Sequence, residues 1–170
     1  MVWAIHAIAF LVFPLAMAFA AASDLLTMTI SNRLTVALAL AFAVLAPLAG
    51  LSLPVIGLHV AAAAIVFVIA FGCFAAGWIG GGDAKFAAAT TLWIGWYDAY
   101  EFIGIAAIFG GILTLSVLAF RQAVLPAFVV RQPWVARLHH EGGGVPYGIA
   151  LAAAGLAIYP HTAWMAMSAG

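Results

Sequence analysis

Long apolar runs, interrupted at a few points by charged residues, proline and glycine, dominate the pattern along this chain. An α-helix rises about 1.5 Å per residue, so a run of roughly 20 apolar residues is long enough to cross the hydrocarbon core of a membrane. The pattern predicts an all-α, polytopic membrane protein of about six spans, forming one membrane-embedded domain over residues 1–170. The predicted spans lie near residues 3–22, 34–51, 55–77, 86–96, 102–120 and 147–167.

The fourth predicted span is much shorter than the others. As a helix, residues 86–96 are too short to cross a hydrocarbon core of about 30 Å. The charged residues around this segment, Asp83, Lys85 and Asp98, must therefore lie at or within the membrane edges. This places Asp83 close to a membrane surface.

Composition excludes several classes of protein. Hydrophobic residues make up 68% of the chain and charged residues 6%, which is typical of an integral membrane protein. Five basic and five acidic residues give no net charge, so the chain offers no basic face for nucleic acid. The single cysteine, Cys73, lies in an apolar segment and predicts neither a disulfide framework nor a zinc ribbon.

The basic residues predict the orientation in the membrane. All five follow the first, third or fifth predicted span: Arg33, Lys85, Arg121, Arg131 and Arg137. Loops on the cytoplasmic side carry an excess of Lys and Arg, so these loops are expected in the cytoplasm and the amino terminus outside.

The same counting of spans separates the acidic residues. Asp24 follows the first span and Asp83 follows the third, so both are expected at the cytoplasmic face, where they can meet. Asp98 and Glu101 fall at the opposite face, which leaves Glu141 as the remaining acidic partner.

Two aspartates that meet at a membrane edge form a candidate catalytic pair. Partial dehydration and mutual repulsion favour one protonated and one ionised carboxyl group, which suits an aspartic peptidase: the ionised group activates a water and the protonated group polarises a peptide carbonyl. The glycines before Asp83, Gly80 to Gly82, lack Cβ atoms and would let the chain turn and a substrate backbone approach.

Structural roles remain open for these residues. Asp83 at the start of a helix could be only a helix cap, whereas Asp24 at the end of a helix opposes the helix dipole. Lys85 could act on a neighbouring carboxylate, bind anionic lipid, or anchor the chain at the surface. Asn32 could bond the aspartate pair, although a cap on the second span is the favoured interpretation.

Three segments resemble the prepilin peptidase family of GxGD aspartic peptidases, in particular the short branch that serves tight-adherence (Flp-type) pili. They are "SDLLTMTISN", "GWIGGGDAKF" and "GGGVPYGIALAAAG", and the resemblance covers nearly the whole chain. It implies type IV pilus protein processing by a hydrolase of the bacterial inner membrane. The catalytic pair would be Asp24 and Asp83, and the residues expected to form the motif and the substrate approach are Gly80, Gly82, Lys85, Asn32, Pro146, Tyr147 and Gly148.

The resemblance also defines what the chain lacks. Larger family members carry a cysteine-rich metal site and methylate the new pilin terminus, whereas here only "LLTMTISNR" joins the first two spans. We therefore expect no metal, no cofactor and no N-methyltransferase activity. Where the family commonly has Ile-Pro-Asn, this chain has Ile30, Ser31 and Asn32, which changes loop stiffness and leaves the pair untouched.

The longest segment between predicted spans runs from residue 121 to residue 144. Trp134 and three arginines suggest a loop on the anionic cytoplasmic leaflet, and Gly142 to Gly144 suggest either a hinged lid or a plain flexible linker. His139 and His140 are adjacent and have no further ligands at suitable spacing, so a metal site is disfavoured.

The sequence thus predicts a membrane aspartic endopeptidase that removes the basic leader of a pilin-like precursor with an apolar helix, with membrane lipid and pilus-assembly proteins as its other partners. Two rivals remain. A proton- or cation-handling transporter subunit would need polar residues deep in several spans, and few are visible. An inactive pilus-assembly scaffold would carry the same aspartates without the chemistry.

Overall fold

The computed structural model describes residues 2–168, so residues 1, 169 and 170 of the predicted domain lie outside the described residues. This part of the chain contains helices and no strand, which confirms the all-α prediction. In chain order the α-helices are α1 (Val2–Thr27), α2 (Asn32–Leu48), α3 (Leu53–Ala75), α4 (Gly81–Ile94), α5 (Ala99–Gln122), α6 (Ala127–Val130), α7 (Pro133–His139), α8 (Tyr147–Ile158) and α9 (Ala163–Ser168).

Three of these helices are long and apolar enough to cross a membrane: α1, α3 and α5. Helix α2 is apolar but shorter, at 17 residues. Helices α4 and α8 have 14 and 12 residues, so neither covers the hydrocarbon core alone as a straight helix. The chain is a helical membrane protein, and the total of six spans stays a proposal.

Two segments differ from the predicted pattern. The sixth predicted span is divided, because a 3-10 helix at Tyr159–His161 separates α8 from α9. Pro160 lies in that turn, and proline has no N–H with which to continue an α-helix. The predicted loop over residues 121–144 contains the short helices α6 and α7.

Helix α4 lies at the centre of the bundle and packs against α2, α3 and α8. Its alanines, including Ala88 and Ala89, are buried and allow neighbouring helices to approach closely. Near its end Trp93 is fully buried, stacks on Trp164 with ring centroids 4.8 Å apart, and donates from Nε1 to the carbonyl of Leu38 at 3.0 Å. The central helix is thereby fixed along its length.

Helix α4 ends at Gly95, which adopts a φ of +95°. This left-handed conformation is costly for residues with a Cβ, and the Cβ position would lie 2.7 Å from the imidazole of His59. His59 is buried in α3, and its Nδ1 lies 2.8 Å from the carbonyl of Leu92. These contacts hold α3 against the end of α4.

The opposite end of the bundle gathers several helix ends in one place. The last turn of α1 contacts the first turn of α8 through Asp24 and Gly148, and the first turns of α2 and α4 are joined by a hydrogen bond from Lys85 to Asn32. This convergence brings residues that are more than 120 positions apart in sequence into a single site.

Candidate active site

A cleft of about 650 Å³ opens at this end of the bundle. Its walls come from the end of α1, the loop and first turn leading into α4, one position of α5, and the start of α8. The lining residues are Asp24, Met28, Thr29, Ile30, Gly77, Trp78, Ile79, Gly80, Gly81, Gly82, Asp83, Thr114, Gly144, Val145 and Tyr147. Both predicted catalytic aspartates therefore lie in the same cleft.

Asp83 occupies the first turn of α4, three residues after the N-cap Gly80. Its carboxylate reaches back to the backbone N–H of Gly80, as an acidic residue in a capping box does. A Cβ on Gly80 would lie 2.9 Å from Asp83 Oδ2, so a side chain there would push the carboxylate away. Asp83 thus has the capping role that the sequence left open, and it still lines the cleft.

Asp24 lies in the last turn of α1 and is only 4% exposed. Helix α1 ends because Met28 takes a left-handed φ of +56°, and the Met28 N–H still donates to the Asp24 carbonyl at 2.8 Å. The Asp24 side chain points at another helix: Oδ2 accepts a hydrogen bond of 2.7 Å from the backbone N–H of Gly148. The positive end of α8 offsets the unfavourable negative end of α1.

The two carboxyl groups interact electrostatically. The pKa of Asp83 is raised to about 6, mainly by burial and then by the negative charge of Asp24, while the N–H of Gly80 acts in the opposite direction. At pH 7 a carboxyl group with this pKa is protonated in roughly one molecule in ten, far more often than an ordinary aspartate.

Ile30 packs between the start of α4 and the start of α8. A Cβ on Gly82 would contact its Cβ at 3.5 Å, and a Cβ on Gly148 would overlap its Cδ1 at 2.6 Å. The side chain of Ile30 therefore occupies the space left by Gly148 and packs across Gly82. Gly148 also has no room toward Asp24, whose Oδ2 would lie 2.8 Å from a Cβ there.

Lys85 and Asn32 are joined to each other and do not line the cleft. The Lys85 ammonium donates to Asn32 Oδ1 at 3.1 Å, and both side chains are exposed. The favoured interpretation of Asn32 as a helix cap is wrong: Asn32 is the first residue of α2, and Ser31 is the cap, since its hydroxyl accepts from the Arg33 N–H. Serine is a strong N-cap residue, and the amide oxygen of Asn32 already accepts the hydrogen bond from Lys85.

The residues at the start of α8 have distinct positions. Pro146 is the buried residue before the helix, and Tyr147 lines the cleft. The Tyr147 ring lies against Gly110 of α5, where a Cβ would overlap its hydroxyl. One turn along α5, Thr114 also lines the cleft, so α5 and α8 form one wall together.

Sequence reasoning missed several lining residues and one anchoring residue. Met28, Trp78 and Val145 lie within the three quoted segments but were not singled out, and Thr114 of α5 lies in none of them. Arg121 was noted only for its charge, yet it makes three hydrogen bonds to backbone carbonyls beside the cleft.

Acid–base chemistry is what the site can supply. No three His, Cys, Asp or Glu side chains within the described residues are arranged to hold a metal ion. Two carboxyl groups in one cleft, one of them with a pKa near neutrality, can act as a base and an acid on a bound substrate.

Comparison with known proteins assigns the family. The family model described as the type IV leader peptidase family matches residues 11–115, which is more than half of the chain and includes both aspartates. Searches of curated proteins and of solved structures found no significant match. The chain therefore belongs to the type IV leader peptidase family, and the cleft is the candidate active site of a membrane peptidase.

Proposed function

We propose that this protein is an aspartic endopeptidase that removes the leader peptide of prepilin-like precursors at the cytoplasmic face of the bacterial inner membrane. The observation that carries the proposal is the placement of Asp24 and Asp83 in one cleft, at one end of an apolar helical bundle. The family match supports the peptidase activity and a prepilin-like substrate.

The two aspartates take different roles in this proposal. We assign Asp24 as the base because the hydrogen bond from the Gly148 N–H, at the amino end of α8, holds and orients its carboxylate. Asp83 is the acid, because its pKa is raised to about 6. The assignment follows from the different surroundings of two otherwise identical groups.

Hydrolysis then proceeds in two balanced steps. A water oxygen bonds to the scissile carbonyl carbon as Asp24 takes a water proton and Asp83 gives its proton to the carbonyl oxygen. In the second step the carbon–nitrogen bond breaks, Asp24 passes its proton to the leaving amine, and a hydroxyl of the intermediate returns a proton to Asp83. The enzyme regains its starting state, and no cofactor takes part.

The surroundings of the cleft fit an apolar substrate with a basic leader. Trp78 and Met28 present apolar surface in the cleft, and Trp78 is 78% exposed. The apolar helix of a precursor would remain among lipids while its leader reaches the cleft. The positive-inside distribution of the five basic residues supports a cytoplasmic position for the cleft and an external amino terminus. Processing for Flp-type pili, without N-methylation, is the specific form of the proposal.

Cleavage of a co-expressed prepilin by the native protein and by Asp24→Asn and Asp83→Asn tests the function. Asp98→Asn is the matched control, since Asp98 precedes α5 at the far end of the bundle. Each variant must first accumulate in the membrane. We expect the native protein and the control to shorten the substrate and both cleft variants to lose at least about 1000-fold in rate.

The alternatives give different results in the same experiment. If both cleft variants cut as well as the native protein, the aspartates only cap helices and the mechanism is wrong. If the native protein cuts none of a panel of prepilins yet conducts protons or cations in vesicles, the transporter interpretation replaces the peptidase. An inactive scaffold would do neither and would still associate with pilus-assembly proteins.

A further inference from the structure

Arg121 makes an unusual set of contacts in the last turn of α5. Its Nε donates to the carbonyl of Leu138 at 2.8 Å, and its Nη2 donates to the carbonyls of Gly143 at 2.7 Å and Gly144 at 2.9 Å. In the described part of the chain, none of its hydrogen bonds goes to a carboxylate. The planar guanidinium therefore binds backbone at three points, a geometry that a lysine ammonium cannot reproduce.

Two of these carbonyls, those of Gly143 and Gly144, belong to residues 140–146, which we name the strap, and the third, that of Leu138, belongs to α7. Gly143 is its tightest point: a Cβ there would lie 2.9 Å from the Arg137 carbonyl and 3.2 Å from Arg121 Nη2. The Gly143 N–H also donates to the His140 carbonyl at 3.0 Å. Of the three glycines predicted to form a hinge or a flexible linker, Gly143 and Gly144 are bound to Arg121 through their carbonyls.

The strap leads directly into the catalytic cleft. Gly144 is bound to Arg121 and lines the cleft together with Val145. Only four residues further along, the N–H of Gly148 donates to Asp24. The intervening Pro146 is buried and has a fixed φ, so a movement of Gly144 is passed on to the start of α8.

A second contact ties the same region to α1. Arg137, in the last turn of α7, donates to the carbonyl of Thr27 at 3.4 Å, three residues after Asp24. This bond is longer than those of Arg121, so it is the weaker of the two attachments. The strap is thus bound to α5 through Arg121, and the helix that precedes it, α7, is bound to α1 through Arg137.

We propose that Arg121 is a positioning residue for the peptidase: it fixes the strap so that α8 presents the Gly148 N–H to Asp24 and the cleft keeps its wall. The inference rests on the proposed function for its catalytic consequence and on the hydrogen bonds alone for its structural part. Arg121 lies outside residues 11–115 and so outside the family match.

The test compares Arg121→Ala and Arg121→Lys with Arg131→Ala in the full chain. Arg131 is exposed, has the same charge, and its side chain makes no hydrogen bond within the described residues, so its removal controls for charge at this face. Two quantities are measured in lipid nanodiscs: cleavage of a prepilin, and hydrogen exchange at the amides of the strap and Gly148.

Arg121→Ala is expected to lower kcat/KM by about 10- to 100-fold, mainly through kcat, because misplacing catalytic groups by about 1 Å has effects of this size. Exchange should accelerate in the strap and at Gly148 while the central helix α4 stays protected. For Arg121→Lys, kcat/KM and the exchange rates should lie between those of Arg121→Ala and those of the native protein. For Arg131→Ala, both quantities should stay within about twofold of the native values.

Two results would overturn the proposal. In the first, Arg121→Ala has the native kcat/KM and native rates of hydrogen exchange. In the second, Arg121→Ala has a lower kcat/KM, but the amides of the strap and of Gly148 exchange at native rates. If Arg121→Ala fails to accumulate, the same criteria apply to Arg121→Lys. If the native protein cuts no prepilin, the proposed function fails on its own, and faster exchange at the strap and Gly148 still supports the positioning role.

Discussion

Asp24 and Gly148, at opposite ends of the sequence, meet through a hydrogen bond of 2.7 Å from the Gly148 N–H to Asp24 Oδ2. The bond joins the last turn of α1 to the first turn of α8 and orients one carboxylate of the proposed pair. A carboxylate at the negative end of α1 is unfavourable, and the positive amino end of α8 beside Asp24 offsets this.

The pH dependence of cleavage should report the proton on Asp83. Its pKa is raised to about 6, so the protonated form needed by the acid is lost as the pH rises through this value. We expect kcat/KM to fall above about pH 6, approaching tenfold per pH unit. The measurement is a pH profile of kcat/KM with a soluble prepilin fragment.

Asp98→Asn is the control for this profile, because burial and Glu101 also raise the pKa of Asp98, which lies at the far end of the bundle. The variant should keep the same alkaline limb. A limb that disappears in Asp98→Asn, or a profile that is flat from about pH 5 to 8, would contradict the assignment of Asp83 as the acid.

Stability should depend on pH in the same direction. The pKa of Asp83 is higher in the folded protein than its usual value of 3.8, so the folded state binds the proton more tightly. This contribution is fully present below the usual value and is lost as the pH rises through about 6. The native protein should therefore unfold at a lower temperature at about pH 8 than at about pH 5.

The free energy of unfolding of the native protein should fall between about pH 5 and pH 8. Asp83→Asn should reduce this fall by on the order of 1 kcal/mol, after allowance for partial exposure of the carboxyl group. Thermal unfolding in detergent at the two pH values measures it. An identical pH dependence in native protein and variant would mean that Asp83 has the same pKa folded and unfolded.

Gly148→Ala should lower the activity of the site more strongly than it lowers the stability of the helical bundle. The new Cβ would lie 2.8 Å from Asp24 Oδ2, so the carboxylate must move. We expect kcat/KM to fall by about 10- to 100-fold and the free energy of unfolding by about 1–3 kcal/mol. Gly111→Ala, on the exposed face of α5 with no atom within 4 Å, is the matched control and should behave as native. Equal activity of the two variants would show that the Asp24 position is not critical.

Ile30 and Gly148 should be coupled. Ile30→Val removes the Cδ1 atom that lies 2.6 Å from the Cβ position of Gly148, and alone should cost about 0.5–1.5 kcal/mol of stability. In the double variant with Gly148→Ala the freed space should recover part of the loss, with a coupling energy of about 0.5–3 kcal/mol. Unfolding free energies of the native protein, the two single variants and the double variant measure this coupling, and strict additivity would contradict the packing of Ile30 against Gly148.

Much of the architecture follows from the sequence because it depends on local composition. The apolar runs predict helices near the observed positions of α1, α2, α3 and α5, and the glycines before Asp83 coincide with the start of α4. The division of the last predicted span at Tyr159–His161 was missed, although Pro160 was a visible signal. The cap on α2 was assigned to Asn32 instead of Ser31, because both residue types cap helices well.

Less of the candidate site than of the fold could be predicted from the sequence. Asp24 and Asp83 could be singled out from the sequence, and their meeting in one cleft was predictable, since counting spans needs only the order of the apolar runs. Lys85 and Asn32 were singled out, but that they bond to each other could not be foreseen, because side-chain pairing depends on how α2 and α4 pack.

The sequence by itself determined that this is a helical membrane protein with two aspartates beside glycine-rich or polar loop segments, because hydropathy and glycine content are local properties. Tertiary structure alone decided the surroundings that make these aspartates different. Gly148 reaches Asp24, Ile30 packs between the starts of α4 and α8, and Arg121 holds the strap. These contacts join residues far apart in the chain, and their geometry is fixed only when helices pack around α4.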